Sequence, residues 1–211
     1  MINKDLIFNI TSDANFNSAA LAVFQHQFEN NSVYRSFCDL LYKHPSEVKK
    51  IKDIPFLPIQ FFKSHKVVSN AQPTKATFTS SGTTGSSLSK HHLSDLKIYQ
   101  QSFRRGFKSF YGAIEDYTVI ALLPTYLESE GSSLVYMAND MIKQSKKSES
   151  GFYLHDLEAL KKTLINLEKK EQKTLLIGVS YALLNLIEAH SFKLKNTIVM
   201  ETGGMLSLIH I

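Results

Sequence analysis

The sequence predicts an α/β fold, a mostly parallel sheet flanked by helices and entered through a helical N-terminal lead-in. Three observations carry this. Short runs at 117–123 (YTVIALL), 173–179 (KTLLIGV) and 196–201 (NTIVME) read as strands, the first apolar and the second buried. The intervals between them have helical apolar spacing, as a βαβ succession requires. A segment rich in Gly, Ser and Thr follows directly on another short strand candidate at 75–79.

Residues 1–42 read as helix, because Phe16, Ala19, Ala20, Val23, Phe24 and Phe28, then Val33, Phe37, Leu40 and Leu41, recur three and four apart. Asn30, Asn31 and Ser32 supply a break and an N-cap between two helices. Pro55 and Pro58 forbid regular helix in the next stretch, which is expected to run extended over the surface. Beyond the strand at 75–79, the pattern predicts a helix at 95–110, the strand at 117–123 stopped by Pro124, and a helix at 132–144. The exposed loop QSKKSES leads to a short strand at 151–154. An amphipathic helix at 156–169 carries Leu157, Leu160, Leu164 and Leu167 on one side. The strand at 173–179, a helix at 181–190 and the strand at 196–201 complete the succession. There is no internal repeat.

The composition narrows the function classes. At 211 residues, 43% hydrophobic and 20% charged, the chain can bury one sizeable core. No apolar run reaches membrane-spanning length and the N-terminus lacks a signal-peptide pattern, so a cytoplasmic location is expected. The single cysteine, Cys38, excludes an internal disulfide and a multi-cysteine metal site, and its helical apolar neighbourhood marks a buried structural thiol. A net charge of +5 is spread along the chain and interrupted by acids, unlike the basic, aromatic-laced surface of a nucleic-acid binder. The histidines, including the His91–His92 pair and His155, show no metal-ligand spacing.

The strongest motif is Thr79, Ser80, Ser81, Gly82, Thr83, Thr84 and Gly85, which places five hydroxyls and two glycines in seven residues. Glycine lets backbone approach a phosphate, hydroxyls donate to its oxygens, and Lys90 adds positive charge. It is not a Walker A loop, because the lysine does not follow the second glycine. Two further motifs end strands. Pro124 and Tyr126, with Ser132 and Ser133, follow the strand at 117–123, at the sheet edge where parallel sheets hold ligands; packing of Tyr126 and capping by the serines explain them equally well. Glu201, Thr202, Gly203 and Gly204 follow the strand at 196–201, where a glycine pair by itself is usually a turn.

The ordered string TSSGTTG resembles the phosphate-binding signature of adenylate-forming enzymes. With FFKSHKVVS, SKHHLSDLKIYQQSF, DYTVIALLPTYLE, SSLVYM, GFYL, LLIGVSYALL and IVMETGGM, the chain from about Ile54 to Met205 resembles the acyl-protein synthetases of bacterial bioluminescence and their relatives, the LuxE type. The resemblance implies ATP and Mg2+ as cofactors and a fatty acid as substrate. The acid is joined to ATP as an acyl-adenylate and passed to a thiol. An acyl-CoA or acyl-protein reductase, or an acyl carrier, is the implied partner. Thr79 to Gly85 and Lys90 would then face the triphosphate, Glu201 to Gly204 the adenine, and Pro124, Tyr126, Ser132 and Ser133 the acyl group.

The family's later motifs, including the cysteine that becomes acylated, find no match here. Residues 1–205 therefore read as an incomplete synthetase domain, expected to be catalytically inert. Residues 206–211 (LSLIHI) read as translated sequencing adapter. Two rivals are kept. Gly178-Val179-Ser180-Tyr181-Ala182 resembles the nucleophile elbow of α/β-hydrolases, with Ser180 as nucleophile, although Ser180 as a helix N-cap with Gly178 permitting close packing is the favoured reading. The other rival is a non-catalytic nucleotide- or acyl-binding module.

Overall fold

The computed structural model describes residues 4–69, 73–80, 88–125, 127–128 and 131–203. The chain divides into two compact units, Met1–Ser102 and Phe103–Ile211.

The first unit begins with α1 (Lys4–Phe8), α2 (Asp13–Asn30) and α3 (Ser32–Leu40). Ser12 caps α2 and Asn31 caps α3, where the amide of Tyr34 donates to Asn31 Oδ1 at 3.2 Å. Phe24, Phe28, Tyr34, Cys38 and Val48 form a buried cluster on which Leu21, Phe37, Ile54 and Leu57 pack. Cys38 is wholly enclosed. Burial pushes its thiol up, against the lowering influence of Tyr34, so it stays an inert packing group as expected. Phe16, Leu40 and Leu41 depart from the predicted stripe and are exposed. The cause for the last two is local: α3 ends at Leu40 and the chain turns away through Tyr42, at φ 53°.

The Pro55–Pro58 stretch lacks regular helix, as predicted, but it does more than cross a surface. A 3-10 turn at Ile51–Asp53 precedes it and a single helical turn, α4 (Phe61–Ser64), follows. The Tyr34 hydroxyl donates to the Pro55 carbonyl at 2.6 Å, tying the segment to α3. Beyond it lie β1 (Ala76–Thr79) and a strand the sequence reading missed, β2 (Lys90–Leu93), paired antiparallel. Four residues reading Lys-His-His-Leu carry neither alternation nor β-branched side chains, so pattern alone does not signal a strand.

Helix α5 (Leu96–Tyr111) spans the division between the units. The second unit then runs through β3 (Thr118–Leu122), α6 (Ser133–Ser145), β4 (Gly151–Phe152), α7 (Leu157–Lys169), β5 (Thr174–Gly178), α8 (Ser180–Ala189) and β6 (Thr197–Glu201). The four strands form one parallel sheet in the order β4-β3-β5-β6. Its central strands alternate strictly. Val119, Ala121, Leu123, Leu175 and Ile177 meet Val135, Ala138 and Met141 of α6. Ile120, Leu122 and Leu176 meet Leu160, Leu164 and Leu167 of α7, with Ala182 and Leu186 of α8. Both faces are thus covered, which explains why these strands read as unbroken apolar runs.

One carboxylate fixes the start of β6. Glu168 accepts hydrogen bonds from the amides of Lys195 and Asn196, both at 3.0 Å, and from the Thr197 hydroxyl at 2.7 Å. Burial opposes its charged form, but these donors outweigh that and hold the carboxyl below its ordinary value. The stabilisation is therefore full above the unfolded-state value near 4.5 and is lost as pH falls through the lower folded value. Glu168→Ala is expected to cost about 2 kcal/mol at neutral pH. Its melting curve should converge on that of the parent in acid, a comparison that thermal unfolding at several pH values makes directly.

Candidate active site

In the first unit, Thr79 lies directly opposite Lys90 in the hairpin. Directly opposed residues share a face of an antiparallel pair. Beyond them the Ser80 amide donates to the Ser89 carbonyl, and the Ser89 amide donates to Ser80 Oγ, each at 3.1 Å. The hydroxyl-rich segment is therefore the connection of a pinned hairpin. Its two ends, Thr79 and Lys90, are brought together although eleven positions separate them in numbering. Ser81, Gly82, Thr83, Thr84 and Gly85 lie outside the described residues.

In the second unit, the carboxyl ends of all four strands share one edge. Leu122, Gly178 and Glu201 stand in register there. The chain leaves β3 for β4 on one side and later returns as β5 on the other, so the β3/β5 boundary is a topological switch point, the place where open parallel sheets leave a crevice.

Two expected motifs meet at this edge in a way sequence spacing does not reveal. The Thr202 amide and hydroxyl both donate to the Gly178 carbonyl, at 3.0 and 3.1 Å. The Ser180 amide donates to the Gly203 carbonyl at 3.0 Å, and the Gly203 amide donates to the Glu201 carboxylate at 2.9 Å. The buried Ser180 hydroxyl donates to the same carboxylate. Gly203 adopts φ 78°, a conformation that side-chain-bearing residues rarely take. The glycine after Thr202 therefore has a backbone reason to be there. Gly204 lies outside the described residues.

Gly178 also explains itself: a Cβ there would lie 2.9 Å from Leu183 Cγ and 3.3 Å from Leu122 Cβ. The close-packing role expected of it holds. Ser180, however, is the first residue of α8 and not its cap; Val179 occupies the cap position without a side-chain bond. The serine spends its hydroxyl on Glu201. His190 is turned to Glu158, 3.4 Å away, and His210 lies outside the described residues. In the Ser-His-Asp arrangement of α/β-hydrolases an imidazole stands at the nucleophile, whereas here a carboxylate takes that place.

The loop after β3 carries Pro124. Ser132 caps α6, accepting from the Val135 amide at 3.3 Å, and Ser133 opens the helix. Tyr126 lies outside the described residues. Two residues that the sequence reading passed over organise the loop. Glu128 accepts from the Thr125 amide and hydroxyl, both at 2.7 Å, and pairs with His155 at 2.9 Å. The Thr125 donors, aided by His155, hold the Glu128 carboxyl below its ordinary value. The spacing Thr-x-x-Glu is the signal that could have found the first pairing. His155 comes from the turn after β4, and only the topology brings it near. Among the described residues, no group of three or more His, Cys, Asp or Glu could hold a metal ion, and no helix is long and apolar enough to cross a membrane.

The second unit is thus an open parallel α/β fold whose loops are hydrogen-bonded to one another at the carboxyl edge of the sheet. The chain belongs to the LuxE family of acyl-protein synthetases, whose family model matches residues 9–211. No curated protein and no solved structure matches it. Membership bears out the family resemblance seen in the motifs.

Proposed function

We propose that the chain serves the ATP-dependent activation of a long-chain fatty acid and its transfer to a thiol on a protein or carrier. The observation that carries this reading is the pinned hairpin, which sets Lys90 opposite Thr79 at the mouth of the hydroxyl- and glycine-rich segment, in a member of an acyl-protein synthetase family. An oxygen of the substrate carboxylate attacks the α-phosphorus of ATP, and the bond to pyrophosphate breaks. A thiolate sulfur then attacks the acyl carbon and AMP leaves. The first step needs no general base, because the carboxylate is already the nucleophile. It needs positive charge and oriented donors where pyrophosphate departs. Thr79 to Gly85 with Lys90 are assigned that task.

The turn Glu201 to Gly204, held to Gly178 and Ser180, is assigned to the adenine, and Pro124, Tyr126, Ser132 and Ser133 to the acyl group. Magnesium is expected to arrive with ATP. The described residues offer it no ligand cluster, and no step here is derived through a protein-held metal. An acyl carrier or an acyl-protein reductase would receive the product.

Ser180 separates this reading from hydrolysis. Ser180→Ala removes one hydrogen bond to Glu201, so acid-dependent ATP–pyrophosphate exchange by the full-length gene product should fall less than about tenfold. Ester hydrolysis without ATP that vanishes in Ser180→Ala would establish a hydrolase instead.

A further inference from the structure

The first unit contains a cavity of about 870 Å³, a size within the range of small-molecule sites. Its walls are largely aliphatic and aromatic. Ala20 and Val23 of α2 form one side, Ile54 and Phe56 of the proline segment another, and Phe62 and Leu93 a third. The Phe24–Phe28–Tyr34–Cys38 cluster is already packed without the space being filled. Polar side chains enter the lining from two sides, Lys75, His91, His92 and Asp95 at the hairpin and His26, Gln27 and Asn31 at the helices. Lys75 has no ion pair among the described residues. Strand β2 runs from this lining at His91 and His92 straight to Lys90 at the hairpin mouth. His92 of the lining and Lys90, the lysine assigned to the triphosphate, share one face of β2, two residues or about 6.6 Å apart.

We infer that this cavity of the N-terminal helical unit houses the hydrocarbon tail of the fatty acid, with the carboxylate emerging along β2 toward Lys90. The inference rests on the synthetase reading but takes the hydrocarbon tail away from Pro124, Tyr126, Ser132 and Ser133: it places chain-length selection in the helical lead-in, and the edge of the parallel sheet is the alternative that the test decides against. A largely apolar cavity discriminates acids by length, since each buried methylene strengthens binding about fourfold until the space is full. Ala20 sits half-buried on the cavity wall, so a larger side chain there enters open space and leaves the packed cluster alone.

The test titrates the chain with hexanoic, decanoic and tetradecanoic acids through displacement of a fluorescent fatty acid, and repeats it with Ala20→Leu and Ala20→Trp. Affinity should climb with length in the parent chain. Ala20→Trp should weaken tetradecanoic acid by about tenfold or more, the burial of roughly two methylenes, with hexanoic acid unchanged and Ala20→Leu between. Should the tryptophan variant not fold by circular dichroism, Phe56→Ala at the exposed mouth is used, and should weaken tetradecanoic acid selectively. An unchanged length dependence in a folded variant overturns the inference. So does acid-dependent exchange by the full-length gene product whose length preference ignores Ala20→Trp; that result leaves the synthetase reading standing. No acid binding together with no acid-dependent exchange removes both.

Discussion

Gly178→Ala is expected to destabilise the protein by about 2 kcal/mol, because the added Cβ must displace packed groups. It would stand 2.9 and 3.0 Å from two Leu183 side-chain carbons and 3.3 Å from Leu122 Cβ. Leu122 belongs to the neighbouring strand at the centre of the sheet, so it can give little. The site should suffer as well as the fold. The Gly178 carbonyl holds both Thr202 donors, and the next turn holds Ser180 to Gly203. A shift of a few tenths of an ångström at Gly178 is passed directly to the turn assigned to adenine. Thermal unfolding should show the melting temperature lowered by about 4–8 °C. A double-mutant cycle checks the cause: with Leu183→Ala in place, the cost of Gly178→Ala should fall, whereas strict additivity would show that the clash is not responsible.

Lys90→Ala should slow acid-dependent ATP–pyrophosphate exchange by about a hundredfold or more, the scale on which a preorganised charge at a departing group acts. Lys90 is exposed and paired across the hairpin with Thr79, so the fold should tolerate the change. Its effect should lie mainly in kcat, because the charge is needed most as pyrophosphate leaves. Lys90→Arg should recover part of the rate. Replacement of His92, one position along the strand from His91 and bonded to Thr77 Oγ1 at 3.0 Å, should leave the ATP dependence much less disturbed. Equal rates for parent and Lys90→Ala would remove the lysine from the site.

The parts of this fold that were legible in sequence are those whose pattern is local. YTVIALL and KTLLIGV announce buried strands because both faces of the sheet are covered, so that apolar residues dominate and only Thr118 and Thr174 are buried polar groups within them. Asn31 and Asp156 announce helix starts because a cap is a short-range bond; the Ala159 amide donates to Asp156 Oδ1 at 2.8 Å. The Leu157–Leu160–Leu164–Leu167 stripe falls on the sheet as expected, with Leu160, Leu164 and Leu167 buried. Strand β2 was not legible, since KHHL owes its pairing to β1 and not to its own propensity. Leu40 and Leu41 show the reverse error. Their spacing is helical, but the helix ends there and leaves them exposed.

Of the candidate site, the glycine-rich motif could be seen because it is contiguous. The bonds joining Ser180 to Glu201 and Gly203 could not, since they depend on the register that sets Gly178 beside Glu201. Likewise His155 reaches Glu128 only because β4 lies next to β3. Register is a property of the whole sheet, and a linear pattern does not contain it.

The central claim is that this family member turns a carboxylate into an acyl-adenylate at the expense of ATP. Incorporation of labelled pyrophosphate into ATP by the full-length gene product tests it most directly, with tetradecanoic acid present or omitted. The account predicts exchange that requires the acid and is nearly abolished by Lys90→Ala. Exchange that ignores the acid, or acid-bound protein with no exchange at all, would contradict it.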